Sequence, residues 1–212
     1  MDYKQWREWW VSRALEYFTD KVWQFSKPNL IERLGIEKTH CVLEIGFGYG
    51  RELSQFCKLS DNVYGLELTD WSCENTLKML SKRKVTPLPR LKSYDGKIIP
   101  FPTSAFNAIY SCFVIQHLSR QHALDLIKES IRVLGYQGKI LFEFFGDPTY
   151  YNNGQDVFSG EDGAGGMFNN AYVSSEIPGI IESCGGRLLW CEVSSVTHEW
   201  GNHWACFERV SA

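Results

Sequence analysis

Glu44, Gly46, Gly48 and Gly50 stand at alternate positions in the stretch Val42-Leu43-Glu44-Ile45-Gly46-Phe47-Gly48-Tyr49-Gly50. Glycine has no Cβ, so the backbone can turn sharply there and a ligand can approach it closely. A helix-like run begins at Arg51, and a helix start leaves N–H groups free to bind oxygen atoms. Strand, glycine turn and helix form the nucleotide-cradling unit of a doubly wound α/β fold. A second carboxylate, Glu67, ends the next strand, seventeen residues after Gly50. At that place it can accept hydrogen bonds from both hydroxyls of a ribose, because a carboxylate offers two oxygens to a vicinal diol.

These groups need a scaffold, and the rest of the chain supplies its pattern. Apolar runs predict strands over 41–45, 62–68, 87–94, 106–113 and 138–145. Helical periodicity predicts helices over 51–59, over 71–81 with Asp70 as N-cap, over 119–134 with Ser119 as cap, and over 174–184 with Ser174 as cap. Two last strands, over 187–196 and 204–210, flank Gly201-Asn202. Strands alternating with helices predict an α/β fold around a mostly parallel sheet. Its length of 212 residues suits one domain, 1–212. Residues 1–34 read as a helical cover. Tyr3, Trp6, Trp10, Ala14 and Tyr17 share one helix face, which docks on the domain or closes over a site. Residues 146–171 form a long Gly-rich loop after the fifth strand, a place where loops bind substrates.

The glycine spacing is neither that of a P-loop, which ends in Gly-Lys-Ser/Thr, nor the dinucleotide pattern G-x-G-x-x-G. The pattern E-x-G-x-G-x-G resembles motif I of the class I S-adenosylmethionine-dependent methyltransferases of the small-molecule type. Val63-Tyr64-Gly65-Leu66-Glu67-Leu68-Thr69-Asp70 is similar to their motif II. Asp95-Gly96-Lys97-Ile98-Ile99-Pro100-Phe101 is similar to D-A-x-x-L-P-F. Phe106 to Leu118 is similar to the fourth strand and the turn after it, with Asn107 where the family often has Asp. The resemblance runs from about residue 40 to 210. It implies a three-layer αβα Rossmann-like fold with a seven-stranded sheet and a C-terminal antiparallel hairpin. It also implies S-adenosylmethionine as cofactor and S-adenosylhomocysteine as product. Glu44, Gly46, Gly48, Gly50, Glu67, Leu68, Asp95, Gly96, Ser111 and Phe113 would line the cofactor. Glu67 would take the ribose and Asp95 the adenine amino group, although Asp95 also suits an Asx-turn.

A methyl-transfer site must also hold an acceptor. An oxygen acceptor needs a base, and His117, Asp147 and His198 are the expected ones, with His203 as a further candidate; His198 and His203 flank the final turn. Tyr150, Tyr151, Trp200, Trp204 and the N-terminal tryptophans offer flat faces for a sugar or an aromatic ring. The expected acceptor is therefore a small molecule, with O-methylation of a sugar or similar hydroxyl preferred. The alternatives are a small amine as acceptor, or a non-catalytic module that only binds S-adenosylmethionine. No metal is expected, since the pattern of His198, Glu199 and His203 reads as polar residues of a hairpin. The net charge of −3 and the lack of a basic stripe argue against nucleic acid. No apolar run suggests a membrane span or a signal peptide. Seven scattered cysteines without a C-x-x-C pair suit a reducing, cytoplasmic setting.

Overall fold

The computed structural model describes residues 28–146, 172–194 and 202–210, together with Lys4 and Glu8. The aromatic face of the N-terminal cover, the loop 147–171, Asp147 and His198 lie outside the described residues. Seven strands make one sheet: β1 (Cys41–Ile45), β2 (Asn62–Glu67), β3 (Arg90–Ser93), β4 (Phe106–Ser111), β5 (Leu134–Phe144), β6 (Gly186–Ser194) and β7 (Asn202–Arg209). Their order is β3-β2-β1-β4-β5-β7-β6. The first five are parallel, and β7 runs antiparallel between β5 and β6. The expected seven-stranded Rossmann-like sheet is therefore present, with its closing antiparallel hairpin.

Side chains alternate across the sheet, and each face has its own core. Val42, Ala108, Tyr110, Leu141, Trp204 and Cys206 meet α1 (Pro28–Glu32), α2 (Arg51–Leu59) and α3 (Asp70–Lys82) on one face. Leu43, Ile45, Ile109, Ile140, Phe142 and Phe207 meet α4 (Arg120–Val133) and α5 (Ile177–Ser183) on the other. Chain connections leave β1 for β2 on one side, while β4 lies on its other side. That reversal opens a crevice at the carboxyl ends of β1 and β4, where α/β sheets bind ligands.

Several local expectations shift. Thr69, not Asp70, caps α3: its hydroxyl accepts the Ser72 N–H at 3.0 Å. Asp70 instead takes a hydrogen bond from the Ser93 hydroxyl, tying α3 to the end of β3. β3 starts only at Arg90, because Pro87 and Pro89 lack the N–H that a ladder needs. β5 begins at Leu134, four residues early, and its pairing with β4 is irregular between Phe106 and Ala108. Glu176, and not Ser174, precedes α5, and its carboxylate accepts the Val173 N–H and pairs with Arg120. Ser119 does cap α4, accepting the His122 N–H. The seven cysteines are free thiols, and burial pushes Cys57 and Cys73 up to about 12.

Candidate active site

The turn after β1 explains the glycine pattern. Gly46 and Gly50 have φ of +72° and +77°, a left-handed region that costs other residues energy. A Cβ at Gly46 would stand 2.3 Å from Val114 Cγ2, and one at Gly50 2.6 Å from Thr76 Cγ2. A Cβ at Gly48 would meet nothing within 4 Å. Two glycines are thus required by packing, whereas Gly48 faces open space. Phe47, between them, is buried against Gly65, whose missing side chain leaves room for the ring. The Thr76 hydroxyl donates to the Gly48 carbonyl at 2.8 Å and holds the turn to α3.

Glu67 ends β2 opposite this turn. Its Oε1 accepts the Gly48 N–H at 3.1 Å, and its Oε2 accepts the Leu68 N–H at 2.9 Å. Withdrawal from solvent raises its pKa, against the pull of those two N–H groups. Past β3, the Tyr94 N–H donates to the Glu67 carbonyl, so Asp95 follows the edge of the same crevice. Asp95 Oδ1 accepts the N–H groups of Lys97 and Ile98, and Gly96 has a φ of +83°. The Asx-turn reading of Asp95 is realised. The segment after it is braced by α4, which packs in the same core as Ile99 and Phe101. Arg132 at the end of α4 donates to the carbonyls of Ile99 and Phe101, while Glu129 accepts the Ile99 N–H. The hydrogen bonds from Arg132 hold the Glu129 pKa below its usual value.

Beyond the carboxyl end of β4 the chain bends. Ser111 is buried, its hydroxyl bonded to the Ile45 carbonyl at 3.0 Å, so it ties β4 to β1. Phe113 adopts φ +57° and its side chain is 44% exposed. His117 closes the 3₁₀ turn Ile115–His117, and the neighbouring Gln116 is buried with its Oε1 unpartnered among the described residues. The expected residues from Glu44 to His117 therefore gather along one edge of the sheet.

Beneath the glycine turn, on the α2 face, lies a set of buried polar groups. Glu44 is 2% exposed, and its Oε2 has no hydrogen-bond partner among the described residues. Arg51 and Glu52, at the start of α2, form a buried ion pair. Glu143 on β5 is 2% exposed. Its Oε2 accepts the Phe113 N–H at 3.1 Å and the Cys112 thiol at 3.0 Å. Tyr110 lies within reach of the charges of Glu52, Glu44 and Glu143, and burial together with those charges raises its pKa. Burial, then the charge of Glu52, raises Glu44 well above the usual carboxyl range, against the attraction of Arg51. Arg51, Glu52, Tyr110 and Glu143 escaped the sequence reading. One signal was available: Glu143 interrupts Leu141-Phe142-Glu143-Phe144, just as Glu44 interrupts Val42-Leu43-Glu44-Ile45.

A testable consequence concerns pH. The folded chain keeps a proton on Glu44 that the unfolded chain releases above about pH 4.3. Glu44 therefore favours folding most at low pH, and that contribution is lost as pH rises through the raised native value. Glu44→Gln is expected to lose less of its Tm between pH 5 and pH 8 than the parent. Parallel melting curves in which both lose the same amount would refute this.

Trp204 does not serve as an acceptor face. It is 2% exposed and stacks on Tyr110 with centroids 5.8 Å apart, so it belongs to the core. His203 pairs with Phe144 at the carboxyl end of β5. It is buried, its Nδ1 is unpartnered among the described residues, and burial lowers its pKa. Among the described residues no three His, Cys, Asp or Glu side chains are arranged to hold a metal. No described helix is long and apolar enough to cross a membrane.

Residues 43–142, from β1 to β5, match the family model described as a methyltransferase domain. Over that stretch the chain is similar to a methyltransferase domain. An uncharacterized methyltransferase of Oceanobacillus iheyensis is 29% identical over 103 residues, 48% of this chain. The match spans 45% of that relative's length. The 1,6-didemethyltoxoflavin-N1-methyltransferase of Burkholderia thailandensis, solved with 1,6-didemethyltoxoflavin and S-adenosylhomocysteine bound, superposes with a TM-score of 0.75 at 13% identity, covering 99% of this chain and 89% of that one. A SAM-dependent methyltransferase of Aquifex aeolicus superposes with a TM-score of 0.65 at 16% identity, covering 98% of both chains. The residues present leave room for the methyltransferase cofactor: Gly48 leaves the cradle open, Glu67 stands at the end of β2 beside it, and Glu44 and Gln116 keep buried acceptor atoms without partners among the described residues.

Proposed function

We propose that this methyltransferase domain methylates an oxygen of a small-molecule acceptor, a hydroxyl of a sugar or a similar metabolite. Bound S-adenosylmethionine supplies an activated methyl group on a cationic sulfur, so the protein's task is mainly alignment and proton removal. Gly46, Gly48, Gly50, Glu67 with the Leu68 N–H, Asp95, Gly96, Ser111 and Phe113 hold the cofactor in this reading, above the buried Glu44. The observation that carries the choice of oxygen is His203. Its pKa is lowered by burial, so the ring is neutral at pH 7 and can take a proton from a hydroxyl. His117 stands in the turn after β4 as a second imidazole, and Asp147 and His198 are further bases offered by the sequence.

The test is a screen of sugars, phenols and amines with methyl-labelled cofactor, run on the parent, His203→Ala, His117→Ala, Asp147→Ala and His198→Ala. The expected result is label in a hydroxyl acceptor, with kcat lowered about 10²- to 10⁴-fold in at least one variant. Label found only in amines would replace this reading with N-methylation, which needs no base once the amine is neutral. Bound cofactor whose label never leaves, with every acceptor, would favour the non-catalytic binding module.

A further inference from the structure

The α2 face of the sheet collects more buried acid than base. Glu44, Glu52 and Glu143 surround Tyr110, and among the described residues Arg51 is the cation that their charges meet there. Such a set is costly without a cation, because burial penalises charged carboxylates. Two observations say where a cation would enter. Glu44 keeps a buried oxygen without a hydrogen-bond partner. The strand register then puts Glu143 nearest the crevice. Ile45 pairs with Ser111, and Ser111 with Phe142, so the next level holds Gly46, Cys112 and Glu143. The Cys112 thiol bonded to Glu143 confirms that level. Glu143 thus lies at the lip of the cradle, two levels above Glu44 on the same face, and holds the left-handed Phe113 by its N–H.

We propose that the carboxylate of Glu143 makes this site select the cationic methyl donor over its neutral sulfide product. The inference rests on the cofactor assignment above. In S-adenosylmethionine the sulfur bears a positive charge; after the methyl leaves with the acceptor, the same sulfur is neutral. A carboxylate near that sulfur favours the first over the second, and falls silent once the charge is gone. The product is then held only by contacts to ribose, adenine and the amino-acid end, and so more weakly than the donor. Phe113, exposed at the same lip, is held in place by the same carboxylate.

Glu143→Gln tests the charge while keeping an oxygen for the Phe113 N–H. Calorimetric titrations would measure three ligands: S-adenosylmethionine, S-adenosylhomocysteine, and the analogue with an ammonium-bearing carbon in place of the methylsulfonium. The expected result is about a tenfold loss of affinity for the two cationic ligands, with S-adenosylhomocysteine changed less than about twofold. Equal losses for all three, or no loss, would overturn the proposal, since a purely structural Glu143 has no reason to distinguish them. A parent protein that binds none of the three would instead refute the cofactor assignment. Glu44→Gln provides a control: Glu44 keeps its proton and has no charge to lose, so the affinity ratios among the three ligands should stay parental, and a changed ratio would overturn the assignment to Glu143. A melting temperature for each variant separates a folding defect from a binding defect.

Discussion

Replacing Glu67 with alanine is expected to lower affinity for S-adenosylmethionine by about 30- to 1000-fold, or roughly 2–4 kcal/mol. Each carboxylate oxygen already accepts one backbone N–H, from Gly48 or Leu68. A carboxylate has about four lone-pair sites, so two remain for the ribose hydroxyls. The side chain therefore works on both sides of the contact. It fixes the glycine turn before a ligand arrives, and on the proposed reading it then receives the diol. Loss of the carboxylate also leaves two N–H groups without their acceptor, so stability should fall as well. Glu67→Gln retains one oxygen and should lie between the parent and Glu67→Ala. Calorimetric titration of the three proteins measures the series. A folded Glu67→Ala chain with parental affinity would show that the ribose sits elsewhere.

The second large effect separates two glycines that look equivalent in sequence. Gly46→Ala should destabilise the fold by about 2–5 kcal/mol, combining left-handed backbone strain of about 1–2 with overpacking of about 1–3. The overpacking arises because the new methyl would stand 2.3 Å from Val114 Cγ2. Gly48→Ala has no such clash, and at its φ of +48° only the backbone strain of about 1–2 kcal/mol applies. Its methyl group instead points into the open cradle and should reduce cofactor affinity by at least about tenfold, or 1.4 kcal/mol. Urea denaturation reads the first effect as a shift in midpoint at constant slope, and titration reads the second. If Gly48→Ala bound S-adenosylmethionine as the parent does, the cofactor would not pass over that glycine.

The cofactor half of the site was legible because its residues are local. Glu44 through Gly50 lie on one strand and turn, and Glu67 ends the neighbouring strand, so spacing alone places them at one edge. β1 and α2 match their expected limits because apolar run, glycine turn and helical stripe agree there. Chemistry that depends on register was harder to see. Glu143 reaches Cys112 across β4 and β5, and nothing in the local sequence states which residues face each other there. Trp204 looked like a stacking surface because composition does not distinguish a buried ring from an exposed one. Only its place beside Tyr110 makes it core. Asp70 and Thr69 are both good capping residues, and the choice between them depended on Ser93, twenty-three positions away.

Arg132 ties the segment after Asp95 to α4, the helix that packs in the same core as Ile99. The segment proposed to face adenine is therefore located by a strut anchored in the core packing of α4. Substitutions along the buried stripe of Ala123, Ile127 and Ile131 need never touch a ligand to be felt by one. A small slide of that helix would carry the guanidinium with it and move that segment, so nucleotide affinity can change while every contact residue stays the same.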